Sequence, residues 1–381
     1  MRQLARSSAI VAVGLLGACS LDTVAAPSRA LVPMDANADV SAAATTWEVN
    51  LLPLLPGGTW SHATAINEGG VVVGYGNVAG GAVHAFRYAN GVLTDIGTQA
   101  GYRNTRAHGI NKNGSIVGVA TLTKRGRVNT AVMWDAAGVV GPLPGTDTVG
   151  ASVAYAINDG NTVVGSFRNA RGDRHASRWA KGKLEDLNPW FQPGLHSDAR
   201  AINNAGVIVG FGDFHTTFSL YSGARWDAAK TFTPIYPLNN GVIYADSNRV
   251  YDINNNGDWI GWSSYPTNAV PSTIHSSLQP EYLSGMVGAH EVALSDKGRM
   301  VATTLLNSRK RAVTSTWYVG GPTSPDRLPL LPQFSVSQAT DVNTCGRVVG
   351  IMQPANQPAA RRAVVWARYV VVRGVRRYPC D

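Results

Sequence analysis

The chain has 381 residues, enough for one large or two ordinary domains, and is 44% hydrophobic and 15% charged. That balance excludes wholesale disorder, and no apolar run reaches the ~18–20 residues of a membrane-spanning helix. Three cysteines exclude a zinc ribbon or a disulfide-dense scaffold, the net charge is +9, and the 41 glycines follow no collagen-like period and so point to many turns.

At the N-terminus, Arg2 and Arg6 precede an apolar run from Ala9 to Ala18. A basic segment followed by a short apolar one is the pattern of a secretory signal. Leu16-Gly17-Ala18-Cys19 resembles the lipobox of bacterial lipoproteins. The resemblance implies cleavage after residue 18, acylation of Cys19 and a membrane anchor. Ser20 stands where an aspartate would imply inner-membrane retention, so the expected address is the outer membrane, on its periplasmic or surface face. Residues 19–46 are rich in Ala, Ser, Asp and Pro without apolar period and read as a flexible tether. Losing Arg2 and Arg6 leaves 31 basic against 24 acidic residues, near +7.

From residue 47 to 381 the chain is repetitive. Ala65-Ile66-Asn67 leads to Gly70 and Val73-Gly74, and Gly109-Ile110-Asn111 leads to Gly114 and Val117-Gly118. The same motif recurs at Asn158, Asn203, Asn254, Ser295 and Asn343, ending at Gly165, Gly210, Gly261, Ala302 and Gly350. The steps between these seven anchors are 44, 47, 45, 51, 41 and 48 residues, and each anchor lies seven residues before its closing Gly or Ala. Chance does not hold a spacing fixed seven times. A second element follows most anchors, as in His84-Ala85-Phe86-Arg87-Tyr88, Thr130–Trp134 and His175–Trp179; the fifth copy lacks its aromatic. A third is a short strand near a turn, such as Val92–Gly97.

This succession is similar to the HAF repeat of bacterial extracellular proteins, with His84-Ala85-Phe86 as its signature, over about residues 47–372. The resemblance names a repeat type and implies no activity.

Each unit reads as four short β runs divided by Gly or Asn, with no segment of helical period. A four-stranded unit of ~40–50 residues cannot bury both faces alone, and packing copies around an axis does so. The expectation is all-β: a seven-bladed β-propeller of about 46-residue four-stranded repeats. Trp47–Leu52 resembles an outer strand, and it and the C-terminal strand are placed to complete one shared blade. Cys345, in the seventh anchor turn, and Cys380 are expected to form a disulfide in an oxidising compartment.

No nucleophile, metal or phosphate-loop motif is present, and the eight histidines lack zinc spacing, so neither a metal nor a cofactor is expected. The strand before each anchor is more informative. Four and two places before it the residues are mostly small. Five places before stand His62, Arg106, Val153, Asp198, Arg249, His290 and Gln338; three places before stand Thr64, His108, Tyr155, Arg200, Tyr251, Val292 and Thr340. Variation inside a strict repeat marks positions the scaffold does not dictate. His62, Arg106, His108, Tyr155, Asp198, Arg200, Arg249, Tyr251 and His290 are therefore the candidate ligand-binding residues around a central mouth. Arginines thicken toward the C-terminus at 361, 362, 368, 373, 376 and 377 and suit phosphate or carboxylate groups. The expected role is a non-catalytic envelope binding or scaffolding lipoprotein, with a protein or an anionic glycan as ligand and no nucleic acid. The alternative is a glycan-active propeller enzyme, a polysaccharide lyase or glycoside hydrolase. The hydrolase is the weaker form, because Asp198 is the one aligned carboxylate where a pair is needed.

Overall fold

The computed structural model describes residues 46–379 apart from short internal segments, the longest being 277–291. The expected signal segment and tether through residue 45, with Cys19, and His290 and Cys380 lie outside the described residues. Among the described residues the helical pieces are two 3-10 turns, Ala79–Gly81 and Pro358–Ala360; the remaining elements are strands.

Each repeat forms its own antiparallel sheet. In repeat one the order is Ser61–Ile66, Val72–Asn77, Val83–Ala89 and Val92–Asp95, and repeats two, three and four follow the same consecutive order. The sheets of repeats six and seven have five strands, and that of repeat five has three, Ser247–Ile253, Trp259–Ser264 and Thr273–Ser276. First strands of successive repeats lie side by side, and the first strand of repeat seven meets that of repeat one. The architecture is a β-propeller with the first strands around the axis. Both chain ends enter the last sheet: Thr46–Leu51 pairs with Arg362–Val372 in register Thr46↔Tyr369 to Leu51↔Val364.

The repeat's aromatic closes the space between sheets. Trp134, Trp226 and Trp366 are fully buried, and the Trp134 and Trp366 indoles donate to Ile96 O and Pro329 O of the preceding repeats, at 2.8 and 2.9 Å. The histidine of the H-A-F element is structural: His84 and His175 each bond the third element's aspartate, Asp95 and Asp186, at 2.8 Å. A hydroxyl six places before the anchor is a further staple. Ser61, Thr105, Ser152, Ser197 and Ser337 each accept the N–H of the third-strand alanine in the preceding sheet, at 2.8–3.0 Å.

The anchor asparagines join the sheets at the other end. Each Oδ1 accepts N–H groups of its own turn, as Asn158 does from Gly160 and Thr162. Each Nδ2 donates to the next anchor's carbonyl, running Asn67 to Asn111, Asn158, Asn203, Asn254 and Ser295 at 3.0–3.3 Å, and Asn343 back to Asn67 at 3.2 Å. Ser295 has no amide, so the link from repeat six to repeat seven is missing from this belt. In repeat three the turn glycine sits one place early, and Asn161 adopts the positive φ, 58°, taken by glycine elsewhere.

Asn158→Ala removes one donor and one doubly used acceptor from a buried site. The expected loss is on the order of 3 kcal/mol, from unpaired buried backbone groups. At about 2 °C per kcal/mol for a chain of this size, the melting temperature falls by about 6 °C. A thermal melt showing no change would contradict the belt's role.

Candidate functional site

The first strands carry an irregularity that decides where side chains point. In six repeats a β-bulge lies between the residues four and two places before the anchor: Ala63/Ala65, Ala107/Gly109, Ala154/Ala156, Ala199/Ala201, Val250/Asp252 and Ala339/Asp341. The extra residue is the one three places before: Thr64, His108, Tyr155, Arg200, Tyr251 or Thr340. A bulge re-aims its side chain, and here all six line one axial cavity of about 430 Å³.

The closing glycine makes room for the bulge. A Cβ on Gly74, Gly118, Gly165, Gly210, Gly261 or Gly350 would stand 1.9–2.2 Å from the carbonyl oxygen of His62, Arg106, Val153, Asp198, Arg249 or Gln338. Repeat six is the exception that fits. Its closing residue is Ala302, which pairs directly with Val292 without a bulge.

The bulged residues divide into two kinds. Thr64 and Thr340 donate to the carbonyls of Ala107 and Ala63 in the next first strand, both at 2.9 Å, and His108 Nδ1 donates to Ala154 O at 2.9 Å. These three also staple the ring. The arc of repeats three to five is freer. The Arg200 guanidinium lies 3.9 Å from the Tyr155 ring centre and 5.5 Å from that of Tyr251, and makes no ion pair among the described residues. The Nδ1–H bond fixes the His108 tautomer and leaves Nε2 without its proton. Burial, with Arg200 and Arg106 nearby, pushes the His108 pKa down to about 4 against the pull of the Ala154 carbonyl, so the ring is neutral near pH 7.

Among the described residues, those five places before the anchor do not line the cavity. His62 stacks on Tyr75 at 5.1 Å, and burial, with the charges of Arg361 and His108, pushes its pKa down to about 3. Arg106 lies over the same Tyr75, and Arg249 is bracketed by Phe211, Tyr221 and Trp262 at 4.4–5.6 Å. Asp198 is buried and pairs with Arg174 at 3.2 Å. The structure therefore brings together His108, Tyr155, Arg200 and Tyr251, and sets His62, Arg106, Asp198 and Arg249 among aromatics and ions between sheets.

Two site residues escaped the reading of the sequence. Asp252 and Asp341 stand two places before their anchors, where other repeats have Ala or Gly, and both line the axial cavity. Each accepts its own following N–H and, across the sheet junction, that of Leu294 or Ile66, at 2.7–2.8 Å. Burial, and for Asp252 the charge of Asp341, raises their pKa values to about 8 and about 6. Their departure from the small residues of the other copies was the available signal. Near pH 7 Asp252 is largely protonated, which lowers the negative charge on the cavity wall. Among the described residues no group of His, Cys, Asp and Glu is placed to hold a metal ion.

A family profile described as "Protein of unknown function (DUF3466)" matches residues 129–232. No curated protein matches the chain. A solved structure of a streptogramin B lyase is similar over 84% of this chain and 98% of its own, at 12% identity and a TM-score of 0.50. YCF48 bound to a D1 peptide is similar over 86% and 97%, at 11% identity and a TM-score of 0.47. A protein of unknown function from Dyadobacter fermentans is similar over 84% and 98%, at 10% identity and a TM-score of 0.44. At such identities the likeness is one of fold alone.

Proposed function

We propose that this chain is an exported, lipid-anchored, seven-bladed propeller of the HAF-repeat type, acting as a non-catalytic binding module of the cell envelope. Its axial cavity takes an anionic glycan group, a carboxylate or sulfate, on Arg200 between Tyr155 and Tyr251. The observation that carries this is a guanidinium stacked on two tyrosines, lining a cavity and lacking an acidic partner among the described residues. Such a group is oriented by its rings and keeps its N–H donors for an oxyanion. The seventh blade count is supported by the three-stranded sheet of repeat five, which sits between the first strands of repeats four and six. The oxygens of Asp252 and Asp341 are occupied by backbone N–H groups, which favours binding over glycosidic acid–base chemistry.

The test is an array of uronate- and sulfate-bearing oligosaccharides, probed at low and physiological salt. Salt-sensitive binding is expected, with Arg200→Gln weakening it about 10- to 100-fold, the size of a charged hydrogen bond. A blank array, or binding unchanged by Arg200→Gln, overturns the reading and directs the search to protein ligands.

The Cys345–Cys380 disulfide belongs to the same proposal. Cys345 is buried and is not without a partner. Arg347, two residues on, lies 5.9 Å from the Tyr378 ring, two residues before Cys380. Cys345→Ser is expected to lower stability by about 2–4 kcal/mol and to expose Cys380 to alkylation. Cys380 alkylated equally with and without the substitution would refute the pairing.

A further inference from the structure

The C-terminal strand outruns the sheet it belongs to. Arg362–Trp366 pairs with Val348–Met352, but the strand continues to Val372 and turns back to pair Val370↔Arg377, Val371↔Arg376 and Val372↔Val375. Val371 and Val375 on this hairpin are 50% and 55% exposed, two of five large apolar side chains so exposed among the described residues. Val371 stands opposite Arg376, and Val375 lies on the other face of the ribbon with Arg377. Beside the hairpin runs a groove of about 270 Å³, lined by Arg299, Arg368, Arg377, Tyr369 and Tyr378. Arg376 is held by Glu48 at 3.2 Å. Arg368 and Arg377 make no ion pair among the described residues, and Arg368 Nε is buried without a hydrogen-bond partner there. The strand that opens the propeller starts at Thr46, directly opposite Tyr369.

We infer that this hairpin is a membrane-docking element for an anionic lipid surface. Val371 and Val375 enter the boundary between headgroups and acyl chains, and Arg368 and Arg377 hold lipid phosphates, with the groove accepting one headgroup. Exposed apolar residues at a hairpin that also carries Arg368 and Arg377, neither of them paired with an acid among the described residues, match the chemistry of such a surface. The inference adds to the anchor proposed at Cys19 and is tested without it.

The exported chain carrying Cys19→Ser is floated with phosphatidylcholine vesicles and with vesicles containing phosphatidylglycerol. Binding to the phosphatidylglycerol vesicles alone is expected, falling as salt screens the charges. Arg377→Gln, at an exposed site, should weaken it about five-fold, and Arg368→Gln with Arg377→Gln about 25-fold. Val371→Ser with Val375→Ser should weaken it several-fold, with thermal melts like the parent's. Arg200→Gln, in the axial cavity, should bind vesicles as the parent does, which separates failure of this inference from failure of the glycan reading. Equal binding to both vesicle types, no binding to either, or undiminished binding by the hairpin variants overturns the docking element. So does displacement from vesicles by inorganic phosphate, which would make the groove a site for free anions.

Discussion

Gly118→Ala is expected to unfold the protein, or to lower its melting temperature sharply. The added Cβ would stand 1.9 Å from Arg106 O and 3.0 Å from Ala107 Cα, both backbone atoms of the neighbouring strand. No side chain can swing aside, so the strand pair must separate or the bulge must be ironed out. Backbone clashes of this kind cost about 4 kcal/mol or more, or roughly 8 °C in melting temperature. The matched control is Ala302→Gly in repeat six, where Ala302 faces Val292 without a bulge. It should cost only about 1 kcal/mol, the entropy of an added glycine. Equal melts for the two variants would show that the closing glycine is not what permits the bulge. The change also bears on function. If a Gly118→Ala chain survives by straightening its strand, His108 ceases to be the extra residue and loses its place on the cavity wall.

Raising the pH from about 6.5 to about 8 is expected to destabilise the protein, and Asp252→Ala to abolish most of that slope. Asp252 has a pKa of about 8 in the folded state and about 3.9 when unfolded. Between those values the folded chain holds a proton that the unfolded chain has lost, so stability falls as pH rises. The contribution is fully present below about pH 4 and gone above about pH 8. Asp341 acts in the same direction and finishes near pH 6. His62 and His108 act in the opposite direction: with folded pKa values of about 3 and 4, they add stability as pH rises to about 6.5. The two pairs offset one another in mild acid, and above pH 6.5 Asp252 is the one of the four still titrating. Alanine fits its position, since Ala65, Ala156, Ala201 and Ala293 occupy the equivalent place in other repeats. Denaturant midpoints measured across this range decide the matter, and a parent profile flat from pH 6.5 to 8 would sink the prediction.

Much of the architecture is legible in the residues. The anchor asparagine and turn glycine announce a tight turn, the runs such as Val71–Val73 announce strands, and their fixed spacing announces stacked equivalent sheets. The pairing of Thr46–Leu51 with Arg362–Val372 follows the resemblance of residues 47–52 to an outer strand. The small residues before the anchor reflect crowding near the axis: Ala63, Ala107, Ala154, Ala199 and Ala339 are fully buried. The fifth repeat, poorest in the motif, is also the one whose described sheet has three strands.

Strand, turn and repeat are written in local chemistry, because side-chain alternation and turn geometry act over a few residues and recur with each copy. The candidate site is not local. Simple alternation assigns the residues five and three places before the anchor to one face, and a bulge, seen only once two strands are paired, sends the second group alone into the cavity. Whether Arg200 finds an acid or two tyrosines depends on which strands become neighbours around the axis. The protons on Asp252 and Asp341 and the neutrality of His62 and His108 follow from burial and charges brought in by other repeats. The anchor asparagine shows in the sequence as a turn former. Its amide becomes a tie between sheets only because closing the ring places the next repeat's carbonyl within reach.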